Sequence, residues 1–416
     1  MSQERLSTLE RAVGLGLAAA ILLSGFYFAS RSGSNPNVYS NDFNVYYYAA
    51  SEMIGGGDPY TRSLGDWTPY IYPPLLAELL VPLALLPLPV AAYLWFLINV
   101  ASIVLVAWLS VGLMTANGGV GELSRHPGAR IWKEAIAAGA VLLVFRFVLD
   151  TFSLGQVNAL VAALAVAHLY FYSRGQKTVS VVLLAIAISI KLIPALLLVY
   201  HLAKLRLKFV IACLGILIAL TAVSLMPFGV RGPDVFQTFL RRTISNQQGY
   251  DFSYTGNQSI RGAIERFRLR IEGSYGSDDS RSTIDWPTMV ISIALLSLAA
   301  FVAGKAKNEL SATAPFFCGF VLLSPLSWKA HYVVLIPAAA RLLFEAGASK
   351  RGTFATVSLL AGSILFNFTS PKVIGVAAAE WADEHSLVSV GALLWFIACV
   401  ALNLLGTRDK TQELLT

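Results

Sequence analysis

The sequence predicts an all-α, polytopic integral membrane protein of 416 residues. The chain is 56% hydrophobic and only 13% charged, whereas an ordinary soluble domain carries about 25% charged residues. Its apolar residues also fall in runs long enough to cross a bilayer, which takes about 20 residues because a helix in hydrocarbon must satisfy its own backbone groups. A soluble globular fold is therefore excluded.

The apolar segments make up most of the chain and define the order of the predicted helices. The first segment follows a short polar start, residues 1–5, and lacks a convincing small-residue cleavage site, so we expect it to remain as the first helix. Most segments are long enough to span by themselves. They lie at about 11–30, 89–114, 131–149, 154–173, 178–203, 206–226, 285–304, 311–326, 331–346, 352–369 and 386–406.

Two segments leave the number of membrane passages open. Segment 72–87 is short and broken by prolines, and segment 178–203 is interrupted at 191–194. If 72–87 is an external surface or re-entrant helix and 178–203 is a hairpin folded at Lys191, all short basic clusters face the cytoplasm, as the positive-inside rule requires. This arrangement has about twelve transmembrane helices with both chain ends cytoplasmic. The alternative, in which 72–87 crosses and 178–203 is one span, moves two basic clusters outside. The clusters are Arg125/Arg130/Lys133, Arg174/Lys177, Lys204/Arg206/Lys208, Lys305/Lys307, Lys350/Arg351 and Arg408/Lys410.

Two long polar regions, 31–71 and 227–284, are external in either arrangement. With its juxtamembrane helices the first external loop extends over 31–88, and 227–284 forms a second external loop that is rich in arginine. The whole chain, 1–416, is expected to form a single integral-membrane domain. The net charge of +7 comes from basic residues scattered between apolar segments. Because such residues orient helices, no nucleic-acid partner is expected.

Asp42 is the first candidate for chemistry, because it follows the first membrane helix directly among aromatic residues. A carboxylate held at the membrane boundary can take a proton from a hydroxyl. The alternative is an Asx cap that opens a short interfacial helix whose tyrosines belong to the aromatic belt. Asp58 lies in a Gly-Asp-Pro sequence, which is typical of a turn.

Polar side chains inside or at the ends of the apolar segments form a second group of candidates. Charged groups at membrane depth are expensive and usually mark a pathway or a site. Lys191 lies at the interruption of segment 178–203, where the ends of two half-helices would present it to a phosphate. The alternative is a lysine that snorkels from a helix end. The group consists of Arg146, Asp150, Gln156, Asn158, Lys191 and His331.

A third candidate region is 324–332, which contains prolines, Trp328 and His331 at an external membrane interface. Trp328 is either an interfacial anchor or part of a site, and His331 can hydrogen-bond a phosphate or a sugar hydroxyl. The histidines are dispersed without an i, i+4 pair, so no metal site is predicted, although one made of oxygen ligands stays open. The cysteines, Cys213, Cys318 and Cys399, lie in apolar segments and are read as buried hydrophobic residues.

Motifs of soluble enzymes are missing from the sequence. It has no G-x-x-x-x-G-K-[ST] loop, no dinucleotide fingerprint after a strand and no G-x-S-x-G elbow. A cytoplasmic nucleotide-sugar or ATP-driven mechanism therefore lacks a binding domain. A lipid-borne substrate that enters from the bilayer fits the sequence better.

A set of short motifs, in order between about residues 40 and 335, resembles glycosyltransferase family 87. This family consists of integral-membrane C-type glycosyltransferases and includes polyprenol-phosphate-mannose-dependent α-1,2-mannosyltransferases. Each motif alone is weak, but the ordered set is fairly specific. The motifs are Asp42-Phe43-Asn44-Val45-Tyr46, Gly57-Asp58-Pro59-Tyr60, Tyr72-Pro73-Pro74-Leu75, Gly155-Gln156-Val157-Asn158, Lys191-Leu192-Ile193-Pro194, Asn257-Gln258-Ser259 and Ser324-Pro325-Leu326-Ser327-Trp328 with His331.

The resemblance implies the GT-C fold and assigns roles to residues. Asp42 matches the catalytic base on the first external loop, Lys191 the contact to the donor phosphate, and His331 a histidine near the sugar or phosphate. Lys329 departs from the pattern, since relatives often carry an acidic or polar residue there, and this leaves the acceptor open. The other predicted substrate-binding residues are Tyr46, Asp58, Gln156, Asn158, Asn257, Gln258 and Trp328.

The predicted activity is transfer of a hexose, with mannose favoured, from a polyprenyl-phosphate sugar to a glycolipid or glycan on the external face of the plasma (inner) membrane. The reaction is expected to be an inverting displacement with one base, because polyprenyl phosphate leaves as a stable anion without a general acid. No cofactor or metal is expected, and the partners are the lipid-linked donor, the acceptor and membrane lipids. The alternatives are a transporter or lipid-carrier flippase and a non-catalytic assembly partner in which Asp42 is only a cap.

Overall fold

The computed structural model describes residues 16, 19–32, 41–61, 63–64, 68–115, 129–243, 251–272, 285–306, 308–348 and 351–413. This part of the chain is almost entirely helical, and its β-structure is one antiparallel pair of two-residue strands, β1 (Ser63–Leu64) and β2 (Thr68–Pro69). The helices are α1 (19–31), α2 (Asp42–Ile54), α3 (Pro74–Ala84), α4 (Leu88–Thr115), α5 (Ala129–Leu143), α6 (Phe145–Leu154), α7 (Asn158–Ser173), α8 (Lys177–Ile190), α9 (Leu196–Ala203), α10 (Leu207–Leu225), α11 (Gly232–Thr243), α12 (Ile260–Glu272), α13 (Trp286–Lys305), α14 (Glu309–Leu322), α15 (Ile336–Ala348), α16 (Gly352–Asn367), α17 (Pro371–Ile374), α18 (Val376–Glu384) and α19 (Leu387–Glu413). Short 3₁₀ segments are Ile193–Ala195, Met226–Arg231 and Lys329–Leu335.

The helices are those of a membrane protein, which confirms the predicted fold class at this level. In the described part of the chain, 5 helices are long and apolar enough to cross a membrane, and α5 with α6 adds one more if this bent pair counts as one span. The shorter apolar helices include α7, α8, α14 and α16. Large apolar side chains such as Leu23, Trp108 and Ile211 are exposed, as expected where helices face lipid.

Segment 178–203 folds back at Lys191, as the first of the two sequence-based arrangements requires. Helix α8 ends at Ile190, Lys191 is extended (φ −151°, ψ 131°), and a 3₁₀ turn containing Pro194 leads into α9. His168 on α7 lies 3.2 Å from the Ser180 hydroxyl on α8, and its ring centroid is 5.3 Å from that of His201 on α9. Both arms therefore run from Lys191 toward the same end of the bundle.

Helix α3 occupies most of the ambiguous segment 72–87 and is too short to cross a bilayer. Its 11 residues span about 16 Å, against a hydrocarbon core of about 30 Å. Pro74 occupies the first position of the helix, where a missing N–H does no harm. The helix packs on α2, and the Tyr47 hydroxyl donates to the Leu86 carbonyl at 2.8 Å. Residues 71–73, which lead directly into α3, line the cavity that is described below.

One predicted span, 131–149, is not a single straight helix. Helices α5 and α6 meet at Val144 with a bend of 66°. Asn367 of α16 stabilises the bend, because its amide donates to the Leu143 carbonyl at 2.8 Å and accepts from the Arg146 N–H at 3.2 Å. These two bonds supply partners for backbone groups at a helix end that lack intrahelical ones. Segment 131–149 is therefore two helices joined at a bend, and the pair can still count as one broken span.

Buried apolar side chains form two clusters. The larger involves α4 to α10, α13 to α16 and α19, and the smaller lies around α2, α3 and the first half of α4. Cys213, Cys318 and Cys399 are all buried in the larger cluster or against it and carry no disulfide. Their prediction as buried hydrophobic residues is confirmed.

Candidate active site

Asp42, Gln156, Asn158, Lys191 and His331 form one connected chain of side-chain contacts. The Lys191 ammonium donates to Asn158 Oδ1 at 2.7 Å, and Asn158 Nδ2 donates to Gln156 Oε1 at 2.9 Å. Gln156 Nε2 donates to the Asp42 carboxylate. At the other end, His331 Nε2 lies 3.4 Å from Lys191 Nζ. The fold thus brings together five predicted residues from four separate parts of the sequence.

Asp42 is the first residue of α2, and the residue before it caps the helix. Asn41 is extended, its side-chain oxygen accepts from the Asn44 N–H at 3.0 Å, and its amide donates to the Ser32 hydroxyl at 2.8 Å. The alternative in which Asp42 is the cap is therefore wrong. Position in the first turn favours an acidic side chain through the helix dipole, and the contact with Gln156 directs the carboxylate into the site.

Gly155 sets the direction of the Gln156 side chain. It ends α6 in the left-handed conformation (φ 62°, ψ 39°), which glycine adopts without steric penalty. A Cβ at this position would lie 2.7 Å from Phe28 and 2.8 Å from Phe43. The Gly155 carbonyl accepts from the Trp95 indole at 2.7 Å. Both the left-handed turn and the close packing therefore require a glycine at position 155.

Two tyrosines support the connected chain. The hydroxyl of Tyr46 on α2 lies 3.0 Å from the Tyr72 hydroxyl and 3.4 Å from Gln156 Oε1. Lys191 Nζ lies 5.7 Å from the centroid of the Tyr72 ring, within the range of a cation–π interaction. Tyr46 is among the predicted site residues, whereas the sequence indicates Tyr72 only as part of a motif.

A cavity of about 550 Å³ opens beside Lys191. Lys191, His331 and Trp328 line it, together with apolar side chains from the turn between α8 and α9. Arg242 and Arg261, from the second predicted external loop, also line it. Among the described residues, those that line the cavity include these cations and no carboxylate. Such a surface fits an anionic group that is attached to an apolar chain.

Sequence reasoning missed Arg242 and Arg261 as cavity residues. The loop contains many arginines, and no spacing distinguishes those that face the cavity. Arg242 donates to the Tyr70 carbonyl at 3.4 Å and lies 5.7 Å from the centroid of the Tyr60 ring. These contacts depend on the tertiary structure.

Arg261 belongs to a buried network of charges. It pairs with Glu265 at 2.8 Å, and the two side chains are 5% and 4% exposed. Arg268 lies 3.7 Å from Glu265 and 2.6 Å from Asp285, which caps α13. Burial raises the pKa of the Glu265 carboxyl, while Arg261 and Arg268 oppose this rise. The network fixes α12, and with it Arg261, against the beginning of α13.

Asn257 and Gln258 hold the cavity loops together and do not line the cavity. The Asn257 amide donates to the Phe252 and Pro325 carbonyls, both at 3.0 Å, and its oxygen accepts from the Ser327 N–H at 2.9 Å. The Gln258 N–H donates to the Ser327 carbonyl at 2.8 Å. Direct contact of these two residues with a substrate stays a prediction.

Asp58 and Lys329 take part in local contacts. Asp58 accepts from the Tyr60 N–H at 2.8 Å, which makes the turn expected from its sequence, and it does not line the cavity. Lys329 pairs with Asp383 of α18. Its charge is thus balanced locally, although it departs from the family pattern. The described residues contain no group of three or more His, Cys, Asp or Glu side chains that could hold a metal ion.

Comparison with known proteins identifies the family. The model of glycosyltransferase family 87 matches residues 70–325. A Mycolicibacterium smegmatis protein named polyprenol-phosphate-mannose-dependent alpha-(1-2)-phosphatidylinositol pentamannoside mannosyltransferase is 28% identical over 381 residues, which cover 88% of this chain and 86% of the relative. A Mycobacterium tuberculosis protein of the same name is 26% identical, with 90% and 84% covered. A second M. tuberculosis relative, named for phosphatidylinositol mannoside, is 24% identical, with 87% and 84% covered. With the family model matched over more than half of its length, this chain belongs to glycosyltransferase family 87.

Proposed function

We propose that this protein transfers mannose from a polyprenyl-phosphate-mannose donor to a hydroxyl of a glycolipid. The observation that carries the proposal is the connection of Asp42, through two amides, to Lys191 and His331 at the edge of a cationic cavity. In this series of contacts Asp42 is the base at one end, and Lys191 with His331 forms a phosphate site at the other. The names of the relatives support mannose as the sugar and a phosphatidylinositol mannoside as the acceptor.

In the proposed reaction Asp42 removes the proton from the acceptor hydroxyl. The hydroxyl oxygen then forms a bond to C1 of mannose as the bond from C1 to the phosphate oxygen breaks, with inversion at C1. Polyprenyl phosphate leaves with an additional negative charge, which Lys191 and the arginines of the cavity stabilise. No general acid is needed because the leaving group is already a stable anion.

The reaction is proposed to take place on the external face of the plasma (inner) membrane, in a GT-C fold with about twelve membrane passages. Two contacts support the external placement. Arg206 pairs with Glu309 at 2.8 Å, and the Lys204 ammonium donates to the Ala306 carbonyl at 3.2 Å. The basic loop at 204–206 thus meets the loop that follows Lys305, at the end of the bundle opposite Lys191. The positive-inside rule assigns such an end to the cytoplasm.

The proposal is tested with purified protein, synthetic polyprenyl-phosphate-mannose carrying a radiolabel, and phosphatidylinositol mannoside in mixed micelles. Asp42→Asn is expected to lower transfer by about two to four orders of magnitude, the usual contribution of general acid–base catalysis. Asp58→Asn is the matched control, since it removes a carboxylate from the same external segment but only affects a turn.

Near-normal transfer by Asp42→Asn would contradict the role of Asp42 as the base. A wild-type protein that transfers no mannose, but moves the lipid donor between the leaflets of a vesicle, would contradict the proposal and favour the flippase.

A further inference from the structure

We infer that Gln156 and Asn158 form a directional amide relay that positions the Asp42 carboxylate and couples it to Lys191. The relay rests on the proposed function, because it assigns the roles of base and phosphate contact to the two ends. The relay goes beyond that function because it assigns a separate role to Gln156 and Asn158. They act as positioning residues and not as groups that touch the sugar.

The two charged ends fix the orientation of both amides. An ammonium can only donate hydrogen bonds and an ionised carboxylate can only accept them. Asn158 therefore turns its oxygen to Lys191 and its NH₂ group to Gln156, and Gln156 turns its oxygen to Asn158 and its NH₂ group to Asp42. The Tyr46 hydroxyl also donates toward Gln156 Oε1. A reversed amide at either position would bring like groups face to face.

Burial strengthens this dependence on direction. Gln156 and Asn158 are each 2% exposed, so water does not replace a lost partner at either amide. Hydrogen bonds in surroundings of low dielectric constant polarise one another along a chain. The backbone adds rigidity, since Gly155 turns the chain before Gln156 and Asn158 begins α7.

The relay also explains how a base and a cation can work in one small site. Two neutral amides lie along the path from the carboxylate to the ammonium, and each charge has a hydrogen-bond partner in that path. Asn158 thereby gives the Lys191 ammonium an acceptor without placing a carboxylate beside it, and Gln156 sets the orientation of Asp42. This division of roles needs one donor and one acceptor on each intermediate side chain, which asparagine and glutamine provide.

Asn158→Asp tests the direction of the relay, because the substitution is nearly isosteric and position 158 contacts Asp42 through Gln156. The new carboxylate still accepts from Lys191 but has no NH₂ group for Gln156 Oε1. Gln156 is then expected to rotate and turn its oxygen toward Asp42. A carboxylate that loses a hydrogen bond to its ionised form has a raised pKa. Gln156→Met removes both amide contacts at similar volume and is the second variant.

The readout is the protonation of Asp42, followed by infrared titration of its carboxyl band in protein without substrate. The band is assigned in each background as the difference from the same protein carrying Asp42→Asn. In both variants we expect the titration midpoint to move to higher pH and transfer at neutral pH to fall about tenfold to a hundredfold. Affinity for a hydrolysis-resistant donor analogue should stay within about threefold in Asn158→Asp.

Asn403→Asp is the matched control. Asn403 is also a buried asparagine, on α19, and donates to the Ser311 carbonyl at 2.7 Å outside the relay. Asn403→Asp should leave the titration midpoint of Asp42 unchanged. A shifted midpoint in this control would contradict the relay, because it would show that any new buried carboxylate changes the titration of Asp42. An unchanged midpoint in both Asn158→Asp and Gln156→Met would also overturn it. Because the titration needs no substrate, the relay and the proposed function fail separately.

Discussion

Replacing Lys191 by methionine removes the ammonium that donates to Asn158 Oδ1, while keeping most of the length of the side chain. A hydrogen bond to a charged group contributes about 1.5–3 kcal/mol, which corresponds to about tenfold to a hundredfold in affinity. Arg242 and Arg261 line the same cavity, so the donor phosphate keeps other cations. We therefore expect the lower end of this range, about a tenfold weaker binding of the donor.

The change is measured as the dissociation constant of a hydrolysis-resistant polyprenyl-phosphate-mannose analogue in detergent. Lys204→Met is the matched control, because Lys204 follows α9 at the far end of the same hairpin and donates to a backbone carbonyl. It should bind the analogue like the wild type. Equal affinity in Lys191→Met and the wild type would refute the phosphate contact and leave Lys191 as a lysine that snorkels from a helix end.

Two further predictions concern topology and the loops of the cavity. Single cysteines are placed at Ser63, Ser277, Ser124 and Ser349 in a background without the native cysteines. On intact cells those at 63 and 277 should react with an impermeant thiol reagent, and those at 124 and 349 should not. Protection at 63 or 277 would show that the two predicted external loops do not share the external face. Asn257→Ala removes the bonds that join the loops at 257 and 327, so transfer should fall and the melting temperature should decrease by a few degrees, as for loss of about 1–3 kcal/mol. Asn99→Ala, which removes one bond within α4, is the control for Asn257→Ala, and equal transfer in the two variants would contradict a joining role.

The sequence predicts the members of the connected chain because polar groups in apolar surroundings are conspicuous. Gln156, Asn158 and Lys191 each interrupt or border an apolar segment, and the cost of such groups in a membrane makes them candidates. Asp42 could be predicted as a candidate, but its distinction from a cap depends on Asn41, whose side chain reaches Ser32 and Asn44. Neighbouring residues with similar capping ability leave this question open in the sequence alone.

Other features depend on contacts between distant residues. The bend between α5 and α6 has neither proline nor glycine at its centre, and Asn367 stabilises it from more than two hundred residues away. Arg242 and Arg261 face the cavity through the packing of α11 and α12, which a loop rich in arginine does not reveal. Local pattern and charge therefore predict which residues are unusual, whereas the partners of those residues follow from the tertiary structure.

The fold-back at Lys191 has a consequence for biogenesis. Helix α8 has 14 residues and α9 has 8, so each arm is shorter than the roughly 20 residues that an independently inserting helix needs. We therefore expect the two arms to enter the bilayer together, with Lys191 at their tip. A nascent chain that ends between the arms presents only a short apolar stretch with a terminal cation. Reporter fusions made in this interval would consequently describe an arrested insertion intermediate and not the topology of the finished enzyme.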